Sequence, residues 1–177
     1  MPSSAVAPAR WHACRTRARA EKQVARLLVQ RGVESYLPLV ARQRQWKDRQ
    51  KLVQFPMFAG YVFGRFTMSD VHAVLSTPGV STIVKTNGQL AAIAEEELNN
   101  VRRFAAALAG TGLEGELRPL LPQGERVRVR EGPFEGVEGV VMASRRRRRV
   151  LVGIAALGQG LEIDIDVRLL SPVTDPR

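Results

Sequence analysis

Few side chains in this 177-residue chain have the types and spacing that covalent or metal chemistry needs. His12 and His72 lie far apart, and Cys14 is the single cysteine. None of them sits at metal-ligand spacing from another, so neither metal nor cofactor is expected. No Ser/His/Asp elbow, Walker loop or dinucleotide fingerprint occurs, and an enzyme is not expected. Glu162, Asp164 and Asp166 alternate, so a strand there would put three carboxylates on one face. Such a row is either a cation site or the solvent face of an edge strand, where charge discourages aggregation; the second reading is preferred.

What remains is binding chemistry. Arg15, Arg17 and Arg19 flank the start of the first helix, and Arg42, Arg44, Lys47, Arg49 and Lys51 crowd a polar stretch that also holds Trp46. Such cations take phosphates regardless of sequence, and an indole can stack on an unpaired base. The same residues also describe a solvated surface, with Trp46 packed under the arm. A second set is aromatic: Phe58, Tyr61 and Phe63 lie in the most apolar stretch, Phe55 to Phe66. Aromatics with a polar rim have the composition of an interface hot spot, although alternate residues of a strand must also be core.

Charge is unevenly placed. Met1 to Gly110 carries 16 Lys/Arg against 7 Asp/Glu, a net of +9, whereas Thr111 to Arg177 carries 11 against 10, a net of +1. The basic excess of the first part draws polyanions, most often nucleic acid. The run Arg145 to Arg149 is either an RNA contact or a solvated hairpin tip. No apolar run is long enough to span a bilayer. Met1 to Arg10 reads as a frayed tail without a signal peptide, and one cysteine suits a reducing cytoplasm. A monomer without membrane contact is expected.

The elements that must position these residues are legible in outline. Trp11–Thr16 is a strand candidate. Ala20, Val24, Leu27, Leu28 and Arg31 have helical spacing, closed by Gly32. Val33–Val40 reads as a strand interrupted by Pro38, Arg42–Gln54 as a hairpin arm or exposed loop, and Phe55–Phe66 as one buried strand. Ser69 is a candidate N-cap for a short helix ending before Pro78-Gly79. Val80–Lys85 is strand-like, Asn87-Gly88 a turn, and Glu95–Leu108 a helix. Gly110 to Gln123, rich in Gly and Pro, reads as a linker. Beyond it the period becomes two: Val127 and Val129 alternate with arginines, and Leu161, Ile163, Ile165 and Val167 with charged residues, which predicts a small β-barrel.

Two motif sets carry a resemblance. The segment Gly124-Glu-Arg-Val-Arg-Val-Arg-Glu-Gly132-Pro-Phe134-Glu-Gly136-Val-Glu-Gly139-Val-Val141 resembles a KOW motif, with Phe134 as an apolar plug between glycine turns. Upstream, Trp11, Tyr36-Leu-Pro-Leu39, Phe55-Pro-Met-Phe58-Ala-Gly60-Tyr61-Val-Phe63 and Thr77-Pro78-Gly79-Val80 follow in the order of the NusG N-terminal (NGN) domain. The resemblance implies an α+β chain: an NGN domain over 9–109 (antiparallel sheet flanked by helices), a flexible linker over 110–122, and an SH3-like KOW β-barrel over 123–174. It further implies a non-enzymatic transcription elongation or antitermination factor. Phe58, Tyr61 and Phe63 match the surface that binds the clamp helices of the largest RNA polymerase subunit, which Leu98 and Val101 either widen or support as core. The basic arm and loop would lie near upstream or non-template DNA, and the barrel would recruit a ribosomal protein or another partner. The alternative left open is a ribosome-associated or free RNA-binding KOW protein. Ala59 replaces the usual proline before Gly60-Tyr61, and Ala155 falls where the housekeeping factor has a phenylalanine that supports Rho and ribosome coupling. The first softens one turn without abolishing docking; the divergent loop and the compact N-terminal domain look more like a specialised paralogue of the RfaH, UpxY or LoaP kind. In RfaH-type paralogues the C-terminal domain can become a helical hairpin; the period-two pattern here predicts strand.

Overall fold

The computed structural model describes residues 8–46, 48–111, 113, 116–119, 124–142 and 148–173. Along the chain run β1 (Arg10–Thr16), α1 (Glu21–Gln30), β2 (Glu34–Tyr36), β3 (Leu39–Trp46) and β4 (Arg49–Pro56). Then follow β5 (Tyr61–Phe66), α2 (Val71–Leu75), β6 (Val80–Ile83), β7 (Lys85–Thr86), β8 (Gln89–Leu90), β9 (Ala92–Ile93) and α3 (Glu95–Thr111). The last group is β10 (Glu116–Pro119), β11 (Glu125–Val129), β12 (Glu138–Met142), β13 (Arg148–Ile154), β14 (Gln159–Ile165) and β15 (Leu170–Pro172). The chain is α+β, as the sequence predicts. It forms two compact units, one from the described parts of Met1–Leu37 and Ala59–Glu95, the other from those of Pro38–Phe58 and Glu96–Arg177.

In the first unit an antiparallel sheet has the order β2-β5-β1-β6, with β9 also paired to β1. Val24 and Leu28, one helical turn apart on α1, are fully buried against Cys14, Val62, Phe66 and Ile83 of the sheet and Val74 of α2. The α1 helix ends as its sequence dictates. Gly32 takes φ +78°, and the Val33 N–H turns back to the Leu28 carbonyl at 3.0 Å. Asn87 and Gly88 both take positive φ, the type I′ geometry that joins β7 to β8. Ser69 is not the N-cap of α2. It lies inside a 3-10 turn (Met68–Asp70) whose capping box is Thr67 with Asp70, and α2 continues from Asp70 without a side-chain cap of its own.

Two predicted strands are each split. Val33–Val40 becomes β2 and β3, because Pro38 carries no N–H for a ladder and its carbonyl instead accepts the Met57 N–H at 2.8 Å. Phe55–Phe66 becomes the end of β4, a turn, and β5, because Gly60 adopts φ +83° and reverses the chain. Arg42–Gln54 is a regular hairpin, β3–β4, paired rung for rung from Leu39↔Pro56 to Trp46↔Arg49.

The second unit also holds a six-stranded antiparallel sheet of order β10-β14-β13-β12-β11-β15. Only Asp166 to Leu169 separate β14 from β15, which stand four strand spacings apart in that order. Four spacings span about 19 Å in a flat sheet, and five Cα steps reach at most about 17 Å, so the sheet curls into a barrel. Val127 and Val129 are buried while their neighbouring arginines are exposed, and Leu161 and Ile163 are buried on β14. Val167 departs from the predicted alternation: β14 stops at Ile165 and Val167 is 46% exposed in a 3-10 turn. Part of the predicted linker is ordered structure, since α3 runs to Thr111 and β10 pairs with β14. Phe134 is buried and its ring lies 5.7 Å from Phe104 of α3. The Asn100 amide exchanges two hydrogen bonds with the Glu138 backbone, accepting its N–H at 2.7 Å and donating to its carbonyl at 2.6 Å. The side chain thus serves β12 as a partner strand would.

Candidate functional site

The aromatic stretch is held by its glycine. The Gly60 N–H donates to the Glu21 carboxylate at 2.8 Å, and the Gly60 carbonyl accepts the Thr16 N–H at 2.8 Å. Glu21 is 7% exposed; a carboxylate so placed is tolerated because a backbone N–H satisfies it. This clamp fixes the turn although the exposed residue before it is Ala59, which lacks a proline ring's constraint. Tyr61 opens β5 opposite Arg15 of β1 and is half-buried, while Phe63 pairs with Ala13 and stacks on Tyr36 with ring centroids 6.4 Å apart. Phe58 and Phe63 are 1% and 0% exposed, so of the three aromatics only Tyr61 presents surface. Leu98 and Val101 on α3 are fully buried, which is the core role.

The basic residues fall into two places. Arg15, Arg17 and Arg19 are exposed where β1 runs into α1, with the Arg17 N–H bonded to the Gly79 carbonyl at 2.8 Å. Arg42, Arg44, Arg49 and Lys51 lie on the β3–β4 hairpin, and the Arg44 guanidinium sits 5.3 Å above the Phe55 ring. Trp46 is the last residue of β3, and Lys47 lies outside the described residues. Of the run Arg145 to Arg149, residues 145–147 also lie outside them. Arg149 is in β13, bonded to Glu162 at 2.8 Å and close to Asp164 at 3.3 Å.

That pairing decides what the acidic row does. Glu162 also faces Arg118 at 3.8 Å, and Asp166 lies beyond the end of β14, so the three carboxylates do not form one strand face. The Arg168 guanidinium hydrogen-bonded to Asp166 holds that carboxyl down at about 2. Among the described residues no three His, Cys, Asp or Glu side chains are placed to hold a metal ion. His12 is a core histidine: its Nδ1 is 2.9 Å from the Ala91 carbonyl and its ring packs on Phe66. Burial pushes the Cys14 thiol up to about 12, which removes it as a nucleophile at neutral pH. The residue that sequence reasoning missed is Glu21. A glutamate in the first turn of a helix reads as a macrodipole partner, and nothing local points to Gly60.

A family model described as "Transcription termination factor nusG" matches residues 9–102, more than half of the chain. The transcription termination/antitermination protein NusG of Rickettsia bellii is 23% identical over 88% of this chain and 86% of its own length. That of Escherichia coli K12 is 29% identical over 75% of this chain and 71% of its own. Among solved structures, one of Thermotoga maritima NusG is 24% identical with a TM-score of 0.49, covering 94% of this chain and 98% of that one. Among the described residues no helix is long and apolar enough to cross a membrane. With the family model laid over the sheet, the clamped Gly60 turn and both sets of basic residues in the first part of the chain, this protein belongs to the NusG family of transcription termination and antitermination factors.

Proposed function

We propose that this chain acts by binding alone, as a cytoplasmic monomer that rides on RNA polymerase. Residues 9–109 form the domain that docks on the clamp helices of the largest subunit, through the stretch holding Phe58, Tyr61 and Phe63. The observation that carries this reading is the clamped turn: Gly60 is held at both its polar groups, and it delivers Tyr61 to the surface beside Arg15. A rigid, half-exposed aromatic with a cation at its rim is what a hot spot needs. Phe63 supports Tyr61 from within the sheet, and Phe58 joins the contact only where it becomes uncovered. Upstream or non-template DNA is assigned to Arg15, Arg17 and Arg19 and to the stretch with Arg42, Arg44, Trp46, Lys47, Arg49 and Lys51.

Residues 123–174 form the KOW barrel, joined through 110–122, and recruit a second partner. Most of its described arginines speak against the barrel as a free RNA-binding module. Arg126, Arg128, Arg149 and Arg168 are ion-paired to Glu138, Glu162, Asp164 or Asp166, which weakens the field a polyanion would meet, while the exposed Arg130 donates to the Arg168 carbonyl at 2.6 Å. The loop that would hold a phenylalanine carries Ala155, whose N–H is bonded to Glu97 at 2.6 Å. This supports a specialised antiterminator without Rho coupling. Sedimentation of the purified chain with core polymerase and, separately, with ribosomal particles tests the first claim: it travels with polymerase, and comigration with ribosomes alone overturns the proposal. A run-off assay tests the second, in which added protein raises readthrough at terminators and lowered readthrough refutes it.

A further inference from the structure

We infer that the β3–β4 ribbon binds nucleic acid with one face only, and that this face takes the sugar–phosphate backbone of duplex DNA. The inference rests on the nucleic-acid reading above and assigns its geometry. The hairpin pairs without a register shift, and side chains alternate across a ribbon. Arg42 and Arg44 therefore share a face with Arg49, Lys51, Val53 and Phe55. Ala41, Gln43 and Gln45 share the other with Gln50, Leu52 and Gln54. Every described Lys or Arg of the two strands is on the first face, and the second carries neutral amides and an exposed leucine.

Arg44 stands directly opposite Lys51, an apposition of like charges that costs stability unless an anion relieves it. None of the four described cations of the hairpin makes an ion pair with a described carboxylate, in contrast to the paired arginines of the barrel. Arg44, Arg49 and Lys51 are exposed and Arg42 half-buried, so the field opens to solvent. Among the described side chains of this face, Phe55 is the aromatic, and the choice of duplex follows from it. Strand-separated DNA is held by bases stacked on aromatic platforms, but this ring is covered by the Arg44 guanidinium, which it pre-orients by a cation–π contact. What the described side chains of this face offer is charge for phosphates.

Two double variants on neighbouring rungs separate a face from a field. R44Q/K51Q and Q45E/Q50E each lower the net charge by two, on opposite faces. Binding of the full chain to a short fluorescent duplex, and to one of its strands alone, is titrated at several salt concentrations. For the duplex, R44Q/K51Q lowers the slope of log affinity against log salt by about 1.8, whereas Q45E/Q50E leaves it within error. R42Q/R49Q, on the same face, reproduces the first result, which guards against a local folding defect. Equal losses for the two double variants overturn the one-faced assignment while leaving DNA contact standing. Tighter binding of the single strand, lost in R44Q/K51Q, overturns the duplex. If no variant on either face changes the slope, the hairpin's nucleic-acid role itself is wrong.

Discussion

Glu21 and Gly60 show how much of this site depends on one hydrogen bond between residues distant in sequence. Replacing Glu21 by Ala strips the Gly60 N–H of its acceptor and destabilises the fold by about 1–3 kcal/mol. Glu21→Gln, which keeps a side-chain oxygen there, retains most of that stability; urea midpoints of the two variants check this. Cys14 gives a second residue-scale outcome. Its thiol titrates near 12 when folded and near 9.0 otherwise, so above pH 9 the unfolded chain loses a proton that the folded chain keeps. Stability contributed by this group is complete below pH 9 and is lost as pH rises toward 12. Denaturant titrations across that window, compared with a Cys14→Ala variant, show the difference. At this scale the sequence was partly readable. The aromatic and basic residues were visible as types, but their exposure was not: Phe58 and Phe63 are buried while Tyr61 reaches the surface, a distinction set by the turn at Gly60.

At the scale of elements, alternation and helical spacing carry most of the information. The buried Val127, Val129, Leu161 and Ile163 follow from period-two patterns, and α1 from Val24, Leu28 and Gly32. What was not legible are the places where a long-range partner overrides local pattern. Val33–Val40 and Phe55–Phe66 look continuous until Pro38 and Gly60 find their backbone partners. Glu116–Pro119 looks like linker until β14 supplies an edge. Gly139 sits where β12 approaches β13 so closely that an added Cβ would overlap Val150 Cγ1 and come within 2.8 Å of the Leu151 carbonyl. Gly139→Ala therefore destabilises the barrel by about 1–3 kcal/mol or more, seen as a lower melting temperature. Asn100→Ala leaves the Glu138 N–H without its partner, and hydrogen exchange at that amide accelerates while the barrel's far-UV signal persists.

For the whole molecule, the pattern of paired and unpaired charge separates the work of the chain's parts. Among the described residues, Arg126, Arg128, Arg149 and Arg168 of the barrel are ion-paired, whereas Arg15, Arg17 and Arg19 of the β1–α1 junction and Arg44 and Arg49 of the hairpin are exposed. Family membership supplies the setting in transcription, and the polymerase contact is the claim on which the functional account turns. It is tested most directly by titrating core RNA polymerase with the full-length protein and with a folded Tyr61→Glu variant. Tyr61 is the aromatic that already presents surface, so its replacement weakens binding at least about tenfold. An unchanged affinity for a variant with native circular dichroism would contradict the account.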